Sequence, residues 1–364
     1  MRRVATTPGG LAFWAWNRQL KLAVTPAALF SPGHVHFLQR ANGHVAAQWG
    51  LPFVVHTTFQ WGGAEGKVLA LKEAGLWLNV PSEYYSPDLK LLVYDNHLPD
   101  FLKDGRARPG LLTQPYVAAW QLHTLRDALA VAQILGRTLV LPEFMCHCDR
   151  EEIWGDIMRA DPKDGEAACT KANTDLELPF KCGLEYYVDP QRLKDENVPY
   201  RESSFLLSEH LPQSILQSQR RVEMIWPTHD PRPEYCAAQG RAAETWDAQH
   251  NSTPHRRLNA GAKAPEIQEK LAGDFAHVSV LRLITAGPGM FGGFRTYLAN
   301  NTFDTLSEKL LGYSSWCCSS DDKSKGTWIY PKPPMFTHGR EWGHAIDNRL
   351  EWLKAYEDAA RCHW

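Results

Sequence analysis

A run of β-branched and aromatic residues, Pro52-Phe53-Val54-Val55-His56-Thr57-Thr58-Phe59, passes through a glycine loop straight into a helical pattern. The loop is Gly62-Gly63-Ala64-Glu65-Gly66-Lys67, and Val68, Leu69, Leu71, Ala74 and Leu76 follow at helical spacing. A strand that gives way to a helix within a few residues predicts an α/β unit. Upstream, Ala27-Ala28-Leu29-Phe30 reads as a short strand closed by Ser31-Pro32-Gly33. The stretch from His34 to Trp49 reads as a helix that ends near Gly50.

A second unit of the same kind follows. Leu122, Leu125, Leu129, Ala132 and Ile134/Leu135 share one helical face, Gly136 ends the helix, and Thr138-Leu139-Val140-Leu141-Pro142 reads as a strand. Between the units, Pro87, Pro99, Gly105, Pro109 and Gly110 mark turns, and a boundary is expected near 103–112. Residues 228–265 are rich in Pro, Gly, Asn and His and predict an irregular, exposed insertion. Val278 to Leu283 reads as a strand and Phe303 to Leu311 as a short helix. The tail from Arg340 to His363 reads as an amphipathic helix.

The net charge of -2 and the absence of a basic block disfavour nucleic-acid binding. No G-x-G-x-x-G string marks a dehydrogenase. No apolar run reaches the roughly 18 residues that cross a bilayer, and the N-terminus makes a poor signal peptide. Yet two N-x-Ser/Thr sequons, at Asn251 and Asn300, and eight cysteines favour a secretory compartment. There, a disulfide among Cys146, Cys148, Cys169 and Cys182 is favoured over a zinc site built with His147. The 14 Trp residues suit either core packing or stacking against sugars.

The segment His56 to Lys67 holds the chemistry most easily read. An imidazole at a strand end can ligate a divalent cation. Gly63 and Gly66 let backbone N–H groups approach phosphate oxygens at a helix start. Lys67 adds a point charge for a leaving diphosphate. Trp61 would stack on a sugar or base, with core packing as the alternative. A glycine turn before a helix is also, commonly, only a turn.

Ala28-Leu29-Phe30-Ser31-Pro32-Gly33-His34, then Phe53 to Gln60 with Glu65-Gly66-Lys67, resemble the nucleotide-diphospho-sugar transferases of glycosyltransferase family 77. The likeness is to plant and algal arabinosyltransferases that act on extensins. It continues through Glu83-Tyr84-Tyr85, Gly136 to Pro142, Cys148-Asp149-Arg150, Arg201-Glu202-Ser203-Ser204-Phe205-Leu206 and Trp316-Cys317-Cys318. Gln121 to Pro142 is also similar to the opening Rossmann-like unit of protein O-fucosyltransferases. There, Glu143, Asp149 and Arg150 would lie beyond strand ends, as ligand contacts or, on the favoured reading, as ordinary structural groups.

The resemblance implies an α/β fold in which residues 1–105 are the distal part of a GT-A-like nucleotide-sugar domain. Residues 106–335 would form a second, Rossmann-like domain and 336–364 a helical tail. It implies a UDP-sugar donor, UDP-arabinofuranose first, and a hydroxyproline-rich glycoprotein or cell-wall glycan as acceptor. It further implies a Golgi setting, a membrane anchor only in a missing N-terminal segment, and Mn²⁺ or another divalent cation near His56. The family's DxD carboxylates should stand on a strand before Ser31, and no such motif is present. The expectation is therefore an incomplete catalytic region that transfers little alone. The rival expectation is a non-catalytic carbohydrate-binding or scaffolding protein.

Overall fold

The computed structural model describes residues 12–23, 25–43, 50–58, 62–98, 100–103, 114–147, 176–226 and 255–311. The chain folds as two compact units, residues 1–60 and 61–364. In the first, β1 (Ala12–Ala15) and β2 (Leu20–Ala23) form an antiparallel hairpin. β3 (Phe30–Pro32) pairs in parallel with β4 (Val54–His56). A π-helical segment, His34–Arg40, joins them, and the Arg40 guanidinium donates to the carbonyls of Gly50 (2.6 Å) and Ala28 (3.1 Å). The helix expected to reach Trp49 is described only as far as a turn at 41–43.

The second unit opens with α1 (Gly63–Glu73) and β5 (Leu91–Tyr94), followed by α2 (Asp100–Lys103), α3 (Gln114–Leu135) and β6 (Thr138–Val140). Then come β7 (Phe144–Cys146), β8 (Phe180–Cys182), α4 (Pro190–Asp195), β9 (Tyr200–Arg201) and α5 (Gln213–Gln217). β10 (Gln219–Ile225), β11 (His255–Asn259), α6 (Ala264–Lys270), α7 (Asp274–His277), β12 (Val280–Ile284) and α8 (Tyr297–Leu310) complete it.

Six strands form one parallel sheet in the order β11-β10-β12-β5-β6-β9. The fold is thus mixed α/β and Rossmann-like, as the alternation of strand and helix patterns predicts. Parallel strands are covered on both faces, so they read as continuous apolar runs. Leu91, Leu92, Leu139, Val280, Leu281 and Leu283 are accordingly buried completely. One face packs on Phe205, Leu211 and Ile215, and α3 lies against β5, β6 and α6. Each such side chain contributes about 1.5–3 kcal/mol on leaving water.

α3 stops where the sequence says it should. Gly136 adopts φ +60°, its N–H reaches Gln133 O (3.2 Å), and the Arg137 N–H reaches Ala132 O (2.9 Å). These are the two bonds of a Schellman cap, which needs a left-handed residue that only glycine adopts without strain. The Arg137 side chain then turns under the sheet and is 3% exposed. It donates to the carbonyls of Phe275 (2.9 Å), Ala276 (3.2 Å), Val278 (3.0 Å) and Leu91 (3.2 Å). Burial lowers its pKa to about 10, which still leaves the guanidinium charged.

Three expectations change. The boundary near 103–112 falls inside the second unit, because β5 hydrogen-bonds to both β12 and β6, which follow it in sequence. The insertion expected at 228–265 ends earlier. Residues 227–254 lie outside the described residues, but His255–Asn259 pairs along β10 as the edge strand and α6 begins at Ala264. The sequon at Asn300 lies inside α8, with its side-chain amide bonded to Phe294 and Thr296. The expected crosslink is present: Cys146 is disulfide-bonded to Cys182, joining the antiparallel pair β7–β8. The tail from Arg340 to His363, Cys148, Asp149, Arg150 and Cys169, the sequon at Asn251 and the Trp316-Cys317-Cys318 string lie outside the described residues.

Candidate functional site

The residues read from sequence as a diphosphate site divide between the two units. His56 ends β4 in the first unit and is exposed. Gly63, Gly66 and Lys67 share the opening turns of α1 in the second. Trp61 lies outside the described residues. Gly63 (φ +61°) and Lys67 are exposed and Gly66 is buried. The neighbouring Gly62 (φ +75°) has its own local cause, since a Cβ there would stand 2.9 Å from the Pro190 ring at the start of α4. Glu65 forms an ion pair with Lys194 of α4, so the glycines seat α1 against α4. Among the described residues no group of three or more His, Cys, Asp or Glu side chains is arranged to hold a metal ion. Cations of this kind take several oxygen or nitrogen ligands. Among the described residues His56 is thus not joined by enough ligands to hold such an ion.

A denser constellation forms where the end of α1 meets the carboxyl end of β9. It joins segments that are far apart in sequence: Lys72 and Glu73, Tyr84 and Tyr85, and Arg201 to Phe205. The Ser203 hydroxyl donates to Glu73 Oε1 at 2.8 Å, and the Tyr84 hydroxyl donates to Glu202 Oε2. The Lys72 ammonium stands 4.2 Å from the centre of the Tyr84 ring and the Arg201 guanidinium 4.1 Å from it. Tyr85 stacks on Phe205, with ring centres 5.3 Å apart and planes 5° from parallel. Glu202 itself is 2% exposed.

Two carboxyls in so closed a space cannot both ionise freely. Burial pushes the Glu73 pKa up to about 7, the charge of Glu202 adds to the rise, and the Ser203 bond opposes it. Burial also raises Tyr84, well out of the physiological range, and lowers Lys72 and Arg201. The cluster therefore holds a carboxyl able to keep or release a proton near neutrality.

A second network braces the carboxyl ends of the central strands. The Asn96 amide donates to Gln121 Oε1 (2.9 Å) and to the Glu143 carbonyl (2.9 Å). Gln121 in turn donates to Met145 O (2.8 Å) and to Tyr187 Oη (3.1 Å), beside the Cys146–Cys182 bridge. Asp127 of α3, 3% exposed, accepts from the backbone N–H groups of Gly289 (2.8 Å) and Phe291 (3.3 Å). Burial raises Asp127 to about 6, and the Arg126 guanidinium opposes the rise.

Sequence reasoning found Tyr84, Arg201 and Glu202 only as parts of resembling strings, and it missed Lys72, Glu73 and Asp127. Asp127 carried a readable signal, as the one carboxylate in the 22 residues of α3. Glu73 carried none, because an acidic residue near the end of an amphipathic helix is ordinarily solvated.

No protein-family profile matches the chain, and no solved structure matches it. It is 27% identical over 328 residues to arabinosyltransferase XEG113 of Arabidopsis thaliana. The chain is thus related in sequence to an arabinosyltransferase. The alignment covers 87% of this chain and 45% of that arabinosyltransferase, so the chain spans about half the length of its curated relative. Among the described residues no helix is long and apolar enough to cross a membrane.

Proposed function

We propose that this chain is part of a glycosyltransferase that moves L-arabinofuranose from UDP-arabinofuranose to a hydroxyproline-rich glycoprotein or cell-wall glycan. The observation that carries the reading is the similarity to an arabinosyltransferase along 87% of the chain. The Rossmann-like sheet supports it, since such sheets bind nucleotides and related ligands beyond the carboxyl ends of their strands. The Cys146–Cys182 bridge supports a secretory, Golgi-lumenal setting.

In the transfer, an acceptor hydroxyl oxygen attacks the anomeric carbon as its bond to the β-phosphate oxygen breaks. UDP leaves with the electron pair, and the hydroxyl proton passes to a base. Lys67 and the backbone N–H groups of the first turn of α1 are suited to the charge that grows on the diphosphate. No step is assigned to a cation. The test is UDP release from UDP-arabinofuranose with an arabinosylated hydroxyproline peptide. It compares residues 1–364 with a longer protein in which the expected DxD-bearing segment precedes them. Turnover by the longer protein, with a loss of at least tenfold in Lys67→Ala, is the expected result. No sugar transfer from any UDP-sugar by either protein would sink the reading.

A further inference from the structure

The first unit contains a sheet with one side left bare. β3 and β4 run parallel, and the helical segment His34–Arg40 joins them. Strand, helix and parallel strand together are the repeating piece from which larger sheets are built. The register sets Ser31 opposite Val55 on one face, where Ser31 is completely buried. It sets Phe30 opposite Val54 and Pro32 opposite His56 on the other face, where Phe30, Val54 and His56 are exposed. Leu51 and Phe53, just before β4, are 85% and 76% exposed. The Phe30 and Phe53 ring centres lie 6.0 Å apart, so these side chains adjoin rather than scatter.

Parallel strands are almost always covered on both faces, because both faces carry apolar residues. Here two strands of three residues each, among the described residues, make a sheet with one face in water. Single exposed apolar side chains are ordinary, but a contiguous group on a sheet face marks a surface that associates. The unit is also one-sided in charge. Residues 1–60 carry Arg2, Arg3, Arg18, Lys21 and Arg40 and no acidic residue, so every Asp and Glu of the chain lies in residues 61–364. A unit whose fixed charges are all basic selects a partner surface of opposite sign.

We propose that the bare face of β3–β4 is a docking surface for a helical layer with acidic flanks, carried by the segment that the longer protein of the transfer assay adds. A helical layer suits the position because helices are what close the open face of a parallel sheet. The match leaves more than half of the Arabidopsis arabinosyltransferase outside it, which is chain enough for such a layer. Leu51, Phe53 and Val54 supply the apolar contact, and the basic residues of the unit supply the complementary charge. A second copy of this chain suits the face less well, since two such units would set basic residues against basic residues. The inference rests on the transferase reading only in taking the partner from the same enzyme.

The test is amide hydrogen exchange of peptides spanning β3 and β4, read by mass spectrometry in residues 1–364 and in the longer protein. These amides should exchange at least about thirtyfold more slowly in the longer protein, where the face is covered. Leu51→Asp with Phe53→Asp should leave the thermal midpoint of residues 1–364 close to the parent's, because both side chains stand in water there. In the longer protein the same pair should restore fast exchange, and Phe53→Leu, which keeps the apolar surface, should not. Equal exchange in the two proteins, or an equal response of both to the paired substitution, would overturn the docking surface. So would self-association of residues 1–364 that protects the same strands, which would make a second copy the occupant. UDP release by a longer protein with unprotected strands would sink the docking surface alone. Protected strands without sugar transfer would sink the transferase reading alone.

Discussion

The Ser203 hydroxyl donates a 2.8 Å hydrogen bond to Glu73, tying the end of α1 to the segment after β9. Glu73 titrates at about 7 in the fold, against 4.5 for the group in its ordinary setting, and burial is the main cause. A raised acid pKa means that the folded state holds the proton more tightly than the unfolded state. Its stabilising effect is therefore complete below pH 4.5 and is lost as pH rises through 7. We expect urea-derived stability to fall across that window, by on the order of 2 kcal/mol from this residue. Glu73→Gln should flatten the dependence and raise stability at pH 7.5. A variant with the parent's slope between pH 5 and 7 would show that Glu73 is not the titrating group.

Arg137 gathers carbonyls from α7, from the residues just before β12 and from the start of β5. Removing it leaves buried acceptors without donors, the costly side of hydrogen-bond exchange. Arg137→Met should lower unfolding free energy by about 2–4 kcal/mol, and Arg137→Lys should recover less than half, since an ammonium cannot reach so many carbonyls at once. Chemical denaturation at one pH measures both. A loss under about 0.5 kcal/mol for Arg137→Met would mean that water replaces the guanidinium at no cost.

How far the fold could be read depended on how each segment meets water. The α3–Gly136–β6 passage was legible because one helix face, a left-handed stop and a β-branched run all lie in local sequence. Leu91–Tyr94, the strand with later strands on both sides, was not. Four apolar residues between prolines show no alternation when both faces are buried, so the stretch resembles a linker. β11 hid for the opposite reason. His255-Arg256-Arg257-Leu258-Asn259 is polar because an edge strand carries charges, and the backbone of β10 recruits it. The Glu73 cluster is a tertiary product, assembled from segments up to 130 residues apart, and no local pattern marks it.

The Cys146–Cys182 bridge closes a loop of 36 residues. Chain-entropy arguments assign such a loop about 4 kcal/mol, through the freedom removed from the unfolded state. Cys146→Ala with Cys182→Ala should lower stability by about 2–4 kcal/mol. Reduction of the parent should move its thermal midpoint to that of the double variant. A midpoint insensitive to reductant under denaturing conditions would show that the bridge does not form in the protein.

Asn300 tests whether a sequon is read as an acceptor or as a structural residue. Its Oδ1 accepts from the Phe294 N–H at 2.7 Å, and its Nδ2 donates to Phe294 O at 3.3 Å and Thr296 O at 3.0 Å. Those bonds fasten the loop after β12 to the first turn of α8. An N-linked sugar replaces one hydrogen of that same nitrogen, and it would have to fit beside Gly293, where even an added Cβ would stand 3.1 Å from Oδ1. Chain glycosylated at Asn300 would thus lose the tether and fold poorly. We expect protein recovered from a secretory host to carry unmodified Asn300 by peptide mapping. Thr302→Ala, which deletes the sequon but leaves the amide, should change neither the glycan content at Asn300 nor stability by a measurable amount. Asn300→Gln should cost about 1–2 kcal/mol, because the longer side chain cannot hold the same bonds. A folded, stable population bearing a glycan at Asn300 would show that the amide bonds are dispensable and would return the sequon to its simpler reading.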